Sequence, residues 1–235
     1  MEAIILAGGL GTRLHAVVSD VPKPMAPIGK VPFLSLLLQY LEKNGFNSIV
    51  LSVGYMHDNI IAYFGNKFGT LNIRYAIEDI PLGTGGGICQ ALKMAESDEV
   101  FILNGDTFLN LDYQGMLGFH RTQLADITMA LMPLKDTSRY GNVRLQGDRL
   151  IRFEEKGTVA PGLINAGIYL LNSKIIESQI LPEKFSFEQD FLAKRLNEIE
   201  VCGYISDTFF IDIGVPEDYQ RAQTEIPHQF EFKSK

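Results

Sequence analysis

The chain of 235 residues is poor in the side chains that build covalent or metal-bound frameworks. It has two cysteines, Cys89 and Cys202, which stand far apart and form no CxxC pair. Its four histidines are scattered, without an HxH or HExxH spacing. This pattern excludes a disulfide framework and a zinc site, and it assigns no catalytic role to a histidine.

Positive charge and long apolar runs are also scarce. The formal net charge of −7 argues against a nucleic-acid partner, because affinity for a phosphate backbone needs a basic face. No stretch approaches the roughly 20 apolar residues of a membrane span. The first residues include Glu2, and their apolar run is too short for a signal peptide. We therefore expect a cytoplasmic protein with no nucleic-acid and no membrane partner.

Strand-like and helix-like segments alternate through the first half of the chain. Strands are predicted over 3–7, 48–53, 72–77 and 99–106. Helices are predicted over 32–45, 58–66 and 85–95. The run 3–7 is apolar throughout, as in a strand buried on both faces. The alternation predicts parallel strands joined by right-handed crossovers.

The second half of the chain is richer in hairpins. Strands are predicted over 126–134, 163–171 and 209–214, and a hairpin over 142–156 that turns at Gly147-Asp148. A helix is predicted over 187–197, and a last one begins at Pro216. With no repeat or linker, we expect one domain over 1–235. In it, residues 1–125 would bind a nucleotide and residues 126–235 the other substrate.

A glycine turn follows the first predicted strand. Gly8, Gly9 and Gly11 expose backbone N–H groups, and Thr12 and Arg13 follow directly. Such a turn makes a nest for an anion, and the guanidinium suits phosphate oxygens. The run matches neither a P-loop nor a GxGxxG fingerprint, since it lacks the lysine of the first and has leucine at position 14. Taken alone, it is also compatible with a tight structural turn and a solvated arginine.

A second cationic segment lies shortly after this turn. In "VPKPM", Pro22 and Pro24 flank Lys23. Prolines hold a backbone extended and stiff, so we expect Lys23 to be presented to the phosphates that Arg13 faces.

Together, "LAGGLGTRL" and "VPKPM" resemble the signature of the sugar-1-phosphate nucleotidyltransferases. The resemblance continues through "PLGTGG", "NGD", "EK", "NAGIYL" and "IDIGVPEDY" to the end of the chain. It implies an α/β fold: a single-domain, Rossmann-like, mixed but mostly parallel sheet flanked by helices. Since the chain is short after "IDIGVPEDY", we expect no C-terminal β-helix of the kind that some relatives carry.

Within the family, the forms "VVSDVPKPMAPI", "LSVGY" and "FIDIGVPEDY" look most like the D-glycero-D-manno-heptose 1-phosphate guanylyltransferases. Two features depart from the family pattern. No proline stands between the glycine turn and Pro22, and the strand-end motif is NGD rather than the DxD of many sugar-transferring enzymes.

The resemblance implies that a sugar 1-phosphate attacks the α-phosphorus of GTP, which gives a GDP-sugar and pyrophosphate. It implies catalytic roles for Arg13, Lys23 and Asp106, and magnesium ligands in Asp106 and Asp212. It implies nucleotide binding by Leu6, Ala7, Gly8, Gly9, Gly11, Thr12, Arg13, Glu78, Gly83 and Thr84. It implies sugar-phosphate binding by Gly141, Glu155, Lys156 and Asn165. A homodimer is a further expectation.

Three acidic residues support this interpretation by their positions. Asp106 and Asp212 each follow an apolar strand, at the sheet edge where α/β proteins bind ligands, and Mg²⁺ prefers a carboxylate or two with phosphate oxygens. Glu78 stands at another strand end, and its two oxygens match the N1–H and N2 amino donors of guanine. The alternatives are turn or helix caps for the aspartates and a solvent-facing Glu78.

Other functions remain open at this point. Within the family, the substrate could be mannose 1-phosphate, or the nucleotide could be UTP or CTP. A non-catalytic nucleotide-sugar sensor would have lost Arg13, Lys23, Asp106 and Asp212, yet all four are present. A glycosyltransferase would be expected to carry DxD, which is missing from the strand-end motif.

Overall fold

The structure, a computed structural model, describes residues 1–9, 21–153 and 160–231. Its first half contains strands β1 (Glu2–Leu6), β2 (Pro27–Ile28), β3 (Val31–Pro32), β4 (Ser48–Val53), β5 (Lys67–Phe68), β6 (Leu71–Ile77), β7 (Glu99–Asn104) and β8 (Thr107–Leu109). Its helices are α1 (Phe33–Lys43), α2 (His57–Phe64), α3 (Gly83–Leu92) and α4 (Tyr113–Thr122), with a 3₁₀ turn at Lys23–Met25.

The second half contains strands β9 (Ile127–Leu134), β10 (Asn142–Gln146), β11 (Arg149–Phe153), β12 (Gly162–Asn172), β13 (Val201–Ile205) and β14 (Phe210–Asp212). Its helices are α5 (Lys174–Glu177), α6 (Ala193–Arg195) and α7 (Pro216–Glu231). A π-helical segment, Phe187–Leu192, leads into α6.

One ten-stranded mixed sheet organises the described chain. Its strand order is β10-β11-β13-β9-β12-β7-β1-β4-β6-β5. Strands β7, β1, β4 and β6 are parallel, whereas β12 is antiparallel to both β7 and β9. Two small sheets, β8 with β14 and β2 with β3, lie beside it. The predicted α/β class, single domain and parallel first half are confirmed.

Both faces of this sheet are covered, as the side chains of β1 show. Ala3 and Ile5 pack in one buried cluster with α1, and Ile4 packs in a second cluster with α3. All three side chains are fully buried. The apolar run at the start of the chain is therefore a central strand, whose alternate residues enter two different cores. Within the described ranges, no helix is both long and apolar enough to span a membrane.

Several predicted elements are confirmed nearly to the residue, and others differ. The hairpin turns at Gly147, whose φ of +60° is easy only for glycine. The helix predicted over 187–197 is instead the π-helical segment followed by α6. In this wider helix Phe187, Phe191 and Leu192 are all buried. Packing of these side chains therefore accompanies a π-helix in place of the predicted α-helix. Helix α4 and strand β13 were not predicted.

The backbone at Lys23 also differs from the prediction. Pro22 is extended, but Lys23 begins a 3₁₀ turn rather than continuing an extended segment. The backbone N–H of Met25 donates to the carbonyl of Pro22 at 2.7 Å, and that of Ala26 to Lys23 at 3.0 Å. The turn tolerates Pro24 because its fixed φ suits a helical turn and its missing N–H is not needed there.

Candidate active site

The site lies at the carboxyl edge of the parallel strands. Leu6 is the last residue of β1. The N–H of Ala7 donates to the carbonyl of Ser52 in β4 at 2.7 Å, so the chain still lies beside β4 where the glycine turn begins. Gly8 follows where space is limited, because a Cβ there would stand 3.2 Å from Glu78 Oε1. Gly9 is exposed. The start of the glycine turn therefore lies directly against the end of β6.

Five of the predicted site residues lie outside the described residues. They are Gly11, Thr12, Arg13, Glu155 and Lys156. Their roles stay predictions from the sequence.

Lys23 and Asp106 are brought together from distant parts of the chain. The Lys23 ammonium forms a salt bridge with Asp106 Oδ2, and its side chain is only 12% exposed. Asp106 comes directly after Gly105, whose N–H donates to the carbonyl of Leu6 at 2.9 Å. The strand-end aspartate and the lysine of the proline segment therefore meet beside the start of the glycine turn, a pairing that the sequence did not predict.

Asp212 reaches the same place from the other end of the chain. It ends β14, where it pairs with Thr107, the neighbour of Asp106. The N–H of Ile213 donates to the carbonyl of Asp106 at 2.9 Å. A Cβ on Gly214 would stand 2.7 Å from Asp212 Oδ1 and 2.9 Å from Lys23 Nζ. Both carboxylates and the ammonium therefore crowd around one small space.

The donor chemistry of this space fits a magnesium ion that is held jointly with phosphates. Mg²⁺ is usually bound by one or two carboxylates together with substrate phosphates and water. Asp106 and Asp212 supply two carboxylates, and in the described part of the chain no group of three acidic, histidine or cysteine side chains could hold a metal alone. A bound triphosphate would have to complete the coordination.

Glu78 borders a cavity of about 370 Å³ that Gly8, Gly54, Tyr55 and His57 also line. Its Oε1 accepts from the Ser52 hydroxyl at 2.9 Å, and its Oε2 accepts from the Leu82 N–H at 3.1 Å. A carboxylate has about four lone-pair positions, so two remain for a ligand. The side chain is only partly exposed and faces the glycine turn, which excludes the solvent-facing alternative.

The glycines at the start of α3 have a reason that the sequence did not reveal. Gly83 has φ +74°, and a Cβ there would stand 2.6 Å from the Phe185 carbonyl. A Cβ on Gly85 would collide with the Phe185 ring at 2.1 Å, and one on Gly86 with the Glu183 carbonyl at 2.3 Å. The resemblance implied a role in nucleotide binding for Gly83, and the structure shows that all three glycines leave room for the residues just before Phe187–Leu192.

Asn165 shapes a bulge in β12. Its Oδ1 accepts from the Gly167 N–H at 2.9 Å, and its Nδ2 donates to the Tyr169 hydroxyl at 2.6 Å. The register with β9 shifts between Asn165 and Tyr169, and Gly167 has φ +71°. One amide N–H and one lone pair of Asn165 remain for a ligand. Gly141 lies nearby, because its neighbour Asn142 pairs with Ile164.

The loop that carries Gly141 is tied to the strand that carries Asp212. Arg139 donates to Asp218 Oδ2 at 2.6 Å, and Asp218 lies in the first turn of α7, shortly after β14. The Tyr140 ring packs edge-on against Phe210 of β14, with centroids 6.2 Å apart. Burial, followed by the charge of Asp212, raises the pKa of Tyr140. Sequence reasoning missed Arg139 and Asp218, although Arg139 stands two residues before Gly141 and Asp218 lies within "IDIGVPEDY".

Comparison with known proteins places these features in a family. The family model for nucleotidyl transferases matches residues 2–229. A D-glycero-alpha-D-manno-heptose 1-phosphate guanylyltransferase from Aneurinibacillus thermoaerophilus is 50% identical over 228 residues, which is 97% of this chain and 99% of that protein. Another of the same name, from Campylobacter jejuni, is 46% identical, over 93% of this chain and 97% of that one.

A solved structure agrees with the sequence relatives. The crystal structure of HddC from Yersinia pseudotuberculosis complexed with GMP-PN has a TM-score of 0.84 to this chain at 38% sequence identity. The match covers 97% of this chain and 99% of that one. The glycine turn, the meeting of Lys23 with Asp106 and Asp212, and these full-length matches show together that the chain belongs to the nucleotidyl transferase family.

Proposed function

We propose that this enzyme transfers GMP from GTP to D-glycero-α-D-manno-heptose 1-phosphate, releasing pyrophosphate and forming a GDP-heptose for surface polysaccharide synthesis. The observation that carries the proposal is the convergence of Lys23, Asp106 and Asp212 beside the glycine turn, which is a place for a triphosphate and a cation. Support for the base and the sugar comes from relatives of 50% and 46% identity that bear this activity in their names.

The reaction needs little acid–base chemistry from the protein. The second pKa of a phosphate monoester is about 6, so the attacking oxygen is already mostly anionic near neutral pH. What remains is to align the two substrates and to neutralise charge as pyrophosphate leaves.

Asp106 and Asp212 would hold Mg²⁺, whose chemistry when bound is to neutralise phosphate charge and to orient the leaving group. Lys23 keeps the two carboxylates compensated by its ammonium, which pairs with Asp106. Beside bound phosphates, the Lys23 ammonium would also neutralise part of their charge. Arg13, from the glycine turn, would face the same phosphates.

Glu78 would read the base. Both of its oxygens are oriented by protein donors, Ser52 and the Leu82 N–H, and retain lone pairs toward the cavity that Gly8 lines. Guanine offers two donors on one edge, whereas uracil and thymine offer one. Gly83 and Thr84, at the start of α3, would lie beside the nucleotide, and Leu6, Ala7 and Gly9 would line it from β1.

The two halves of the domain would divide the substrates between them. Residues 1–125 would bind the nucleotide at the parallel strand ends, and residues 126–235 would bind the sugar phosphate. In the second half, Gly141 and Asn165 would contact the sugar, and Glu155 and Lys156 its hydroxyls and phosphate. The cytoplasmic location and the homodimer stay predictions.

The test is pyrophosphate release with Mg²⁺ across the four ribonucleoside triphosphates, each paired with D-glycero-α-D-manno-heptose 1-phosphate and with α-mannose 1-phosphate. We expect release with GTP and the heptose phosphate. Release with mannose 1-phosphate alone would mean that the sugar substrate is mannose 1-phosphate rather than the heptose phosphate. Release with UTP or CTP would overturn the proposed role of Glu78. Nucleotide binding without release from any pair would favour a sensor.

A further inference from the structure

A single carboxylate that the motifs did not single out lies between the two proposed substrate sites. Glu188, in the π-helical segment, accepts through Oε1 from the Tyr169 hydroxyl at 2.8 Å. Through Oε2 it accepts from the Thr84 hydroxyl at 3.1 Å and from the Ser186 hydroxyl at 3.2 Å. One side chain thus touches β12, α3 and its own segment.

The link on the sugar side is short and buried. The Tyr169 ring is about 1% exposed, and burial, reinforced by the charge of Glu188, raises the pKa of its hydroxyl well above the usual range. The hydroxyl therefore stays protonated, donates to Glu188 and accepts from Asn165 Nδ2 at 2.6 Å. The orientation of the Asn165 amide depends on that hydroxyl.

The link on the nucleotide side is equally direct. Thr84 donates to Glu188, and its hydroxyl accepts from the Phe187 N–H at 2.9 Å. The backbone at the start of α3 is also joined to the residues just before the segment, because the Gly85 N–H donates to the Phe185 carbonyl at 3.0 Å. The glycine-rich start of α3 thus rests on the segment that carries Glu188.

We propose that Glu188 is a positioning residue. It holds the start of α3, which carries Thr84, and strand β12, which carries Asn165, at a fixed separation. The inference rests on the proposed function, since it takes Thr84 to be beside the nucleotide and Asn165 beside the sugar. An in-line attack needs both substrates aligned, and a misplacement of about 1 Å can lower a rate by roughly 100-fold. A carboxylate suits this position because all three of its hydroxyl neighbours donate to it.

The test compares Glu188→Gln with Asp190→Asn as the matched control. Glutamine keeps the shape of Glu188 but has one acceptor oxygen, so at least one hydroxyl loses its bond. Asp190 lies in the same segment, yet it accepts from the Ser186 N–H and from Lys194, and it joins neither substrate site. We would measure single-turnover pyrophosphate release at saturation and the Kd of each substrate alone by calorimetry.

For Glu188→Gln we expect the single-turnover rate to fall by about tenfold or more, while each Kd changes by less than about twofold. Glu188→Asp, which keeps the charge, should recover part of the rate. The inference is wrong if Glu188→Gln is no slower than Asp190→Asn. It is also wrong if the Kd of GTP alone rises as much as the rate falls, because Glu188 would then only support the nucleotide loop.

A second readout separates this inference from the proposed function. In hydrogen exchange without ligands, Glu188→Gln should speed exchange of backbone amides in both 82–87 and 162–169, and Asp190→Asn should speed neither. Faster exchange in only one of these two ranges would contradict the proposed link through Glu188. Failure of the wild-type enzyme to release pyrophosphate would overturn the proposed function, and the exchange data would still decide whether Glu188 joins the two regions.

Discussion

The two halves of the sheet build their parts of the site in different ways. In the first half, which we propose binds the nucleotide, parallel strands β1, β6 and β7 end at one edge, and the residues just after them face the site. In the second half, which we propose binds the sugar phosphate, antiparallel β12 contributes through a bulge at Asn165, and Gly141 lies in a loop tied to α7. Parallel strand ends converge by topology, whereas the antiparallel half needs specific side-chain links to reach the same place.

The largest loss of activity should come from a substitution in the first half of the chain. Lys23→Ala removes the ammonium that pairs with Asp106 and that, in the proposed function, would contact the phosphates. Losing one such transition-state contact costs about 10²–10³ in kcat in other enzymes, and we expect a similar loss here. Steady-state kinetics with GTP should show it, and the exposed Lys30→Ala serves as the control. An unchanged kcat would remove Lys23 from the chemistry.

Asp106→Asn should come next, and its effect should depend on magnesium. Asparagine keeps the shape of the aspartate but not its charge, so we expect about tenfold more Mg²⁺ to be needed for half-maximal activity. A magnesium titration measures this. Asp98→Asn is the control, because Asp98 is exposed and directly precedes β7, at the end of that strand away from Asp106. It should leave the titration unaltered. The metal assignment fails if Asp106→Asn behaves like that control.

The proposed role of the second half in sugar-phosphate binding can be tested through the two arginines that donate to Asp218. Both donate to this buried carboxylate, Arg139 at 2.6 Å and Arg221 at 2.9 Å, so either can be removed while the other still compensates the charge. Arg139→Ala should raise the KM of the sugar phosphate by about tenfold, or about 1.4 kcal/mol, because the loop of Gly141 is released.

Arg221→Ala should leave the KM of the sugar phosphate unchanged, since Arg221 lies on α7 and bonds there to Asp218 and Glu225. The KM of GTP should move in neither variant. Equal effects of the two substitutions on the sugar would mean that Asp218 serves stability rather than the loop.

The smallest effect, and the most selective, is expected at Glu78. Glu78→Gln replaces one acceptor oxygen with a donor, which should lower the preference for GTP over UTP by about tenfold. Competition between the two nucleotides measures the ratio directly. Glu96→Gln, an exposed change elsewhere in the same half, is the control. An unchanged ratio would show that Glu78 only anchors Leu82 and Ser52.

Prediction from the sequence succeeded where local pattern and topology coincide. The apolar run before Gly8, the strand before Asp106 and the short strand before Asp212 are all present, and their ends meet. The sequence placed Lys23 near this edge but not its 3₁₀ turn, which depends on backbone bonds to Pro22. Strand ends are visible in sequence because hydrophobic runs stop there, whereas turn type depends on neighbours.

Periodicity and ordered motifs were enough to predict the α/β class, the parallel first half and the family from the sequence. The reasons why Gly83 and Gly85 are glycines and why Glu188 is acidic lie instead in contacts between distant segments. The Phe185 backbone and ring occupy the space of their missing side chains, and three hydroxyls from different segments donate to Glu188. Such contacts join residues about a hundred positions apart, as between Thr84 and Glu188 (104 positions), and no local pattern records them.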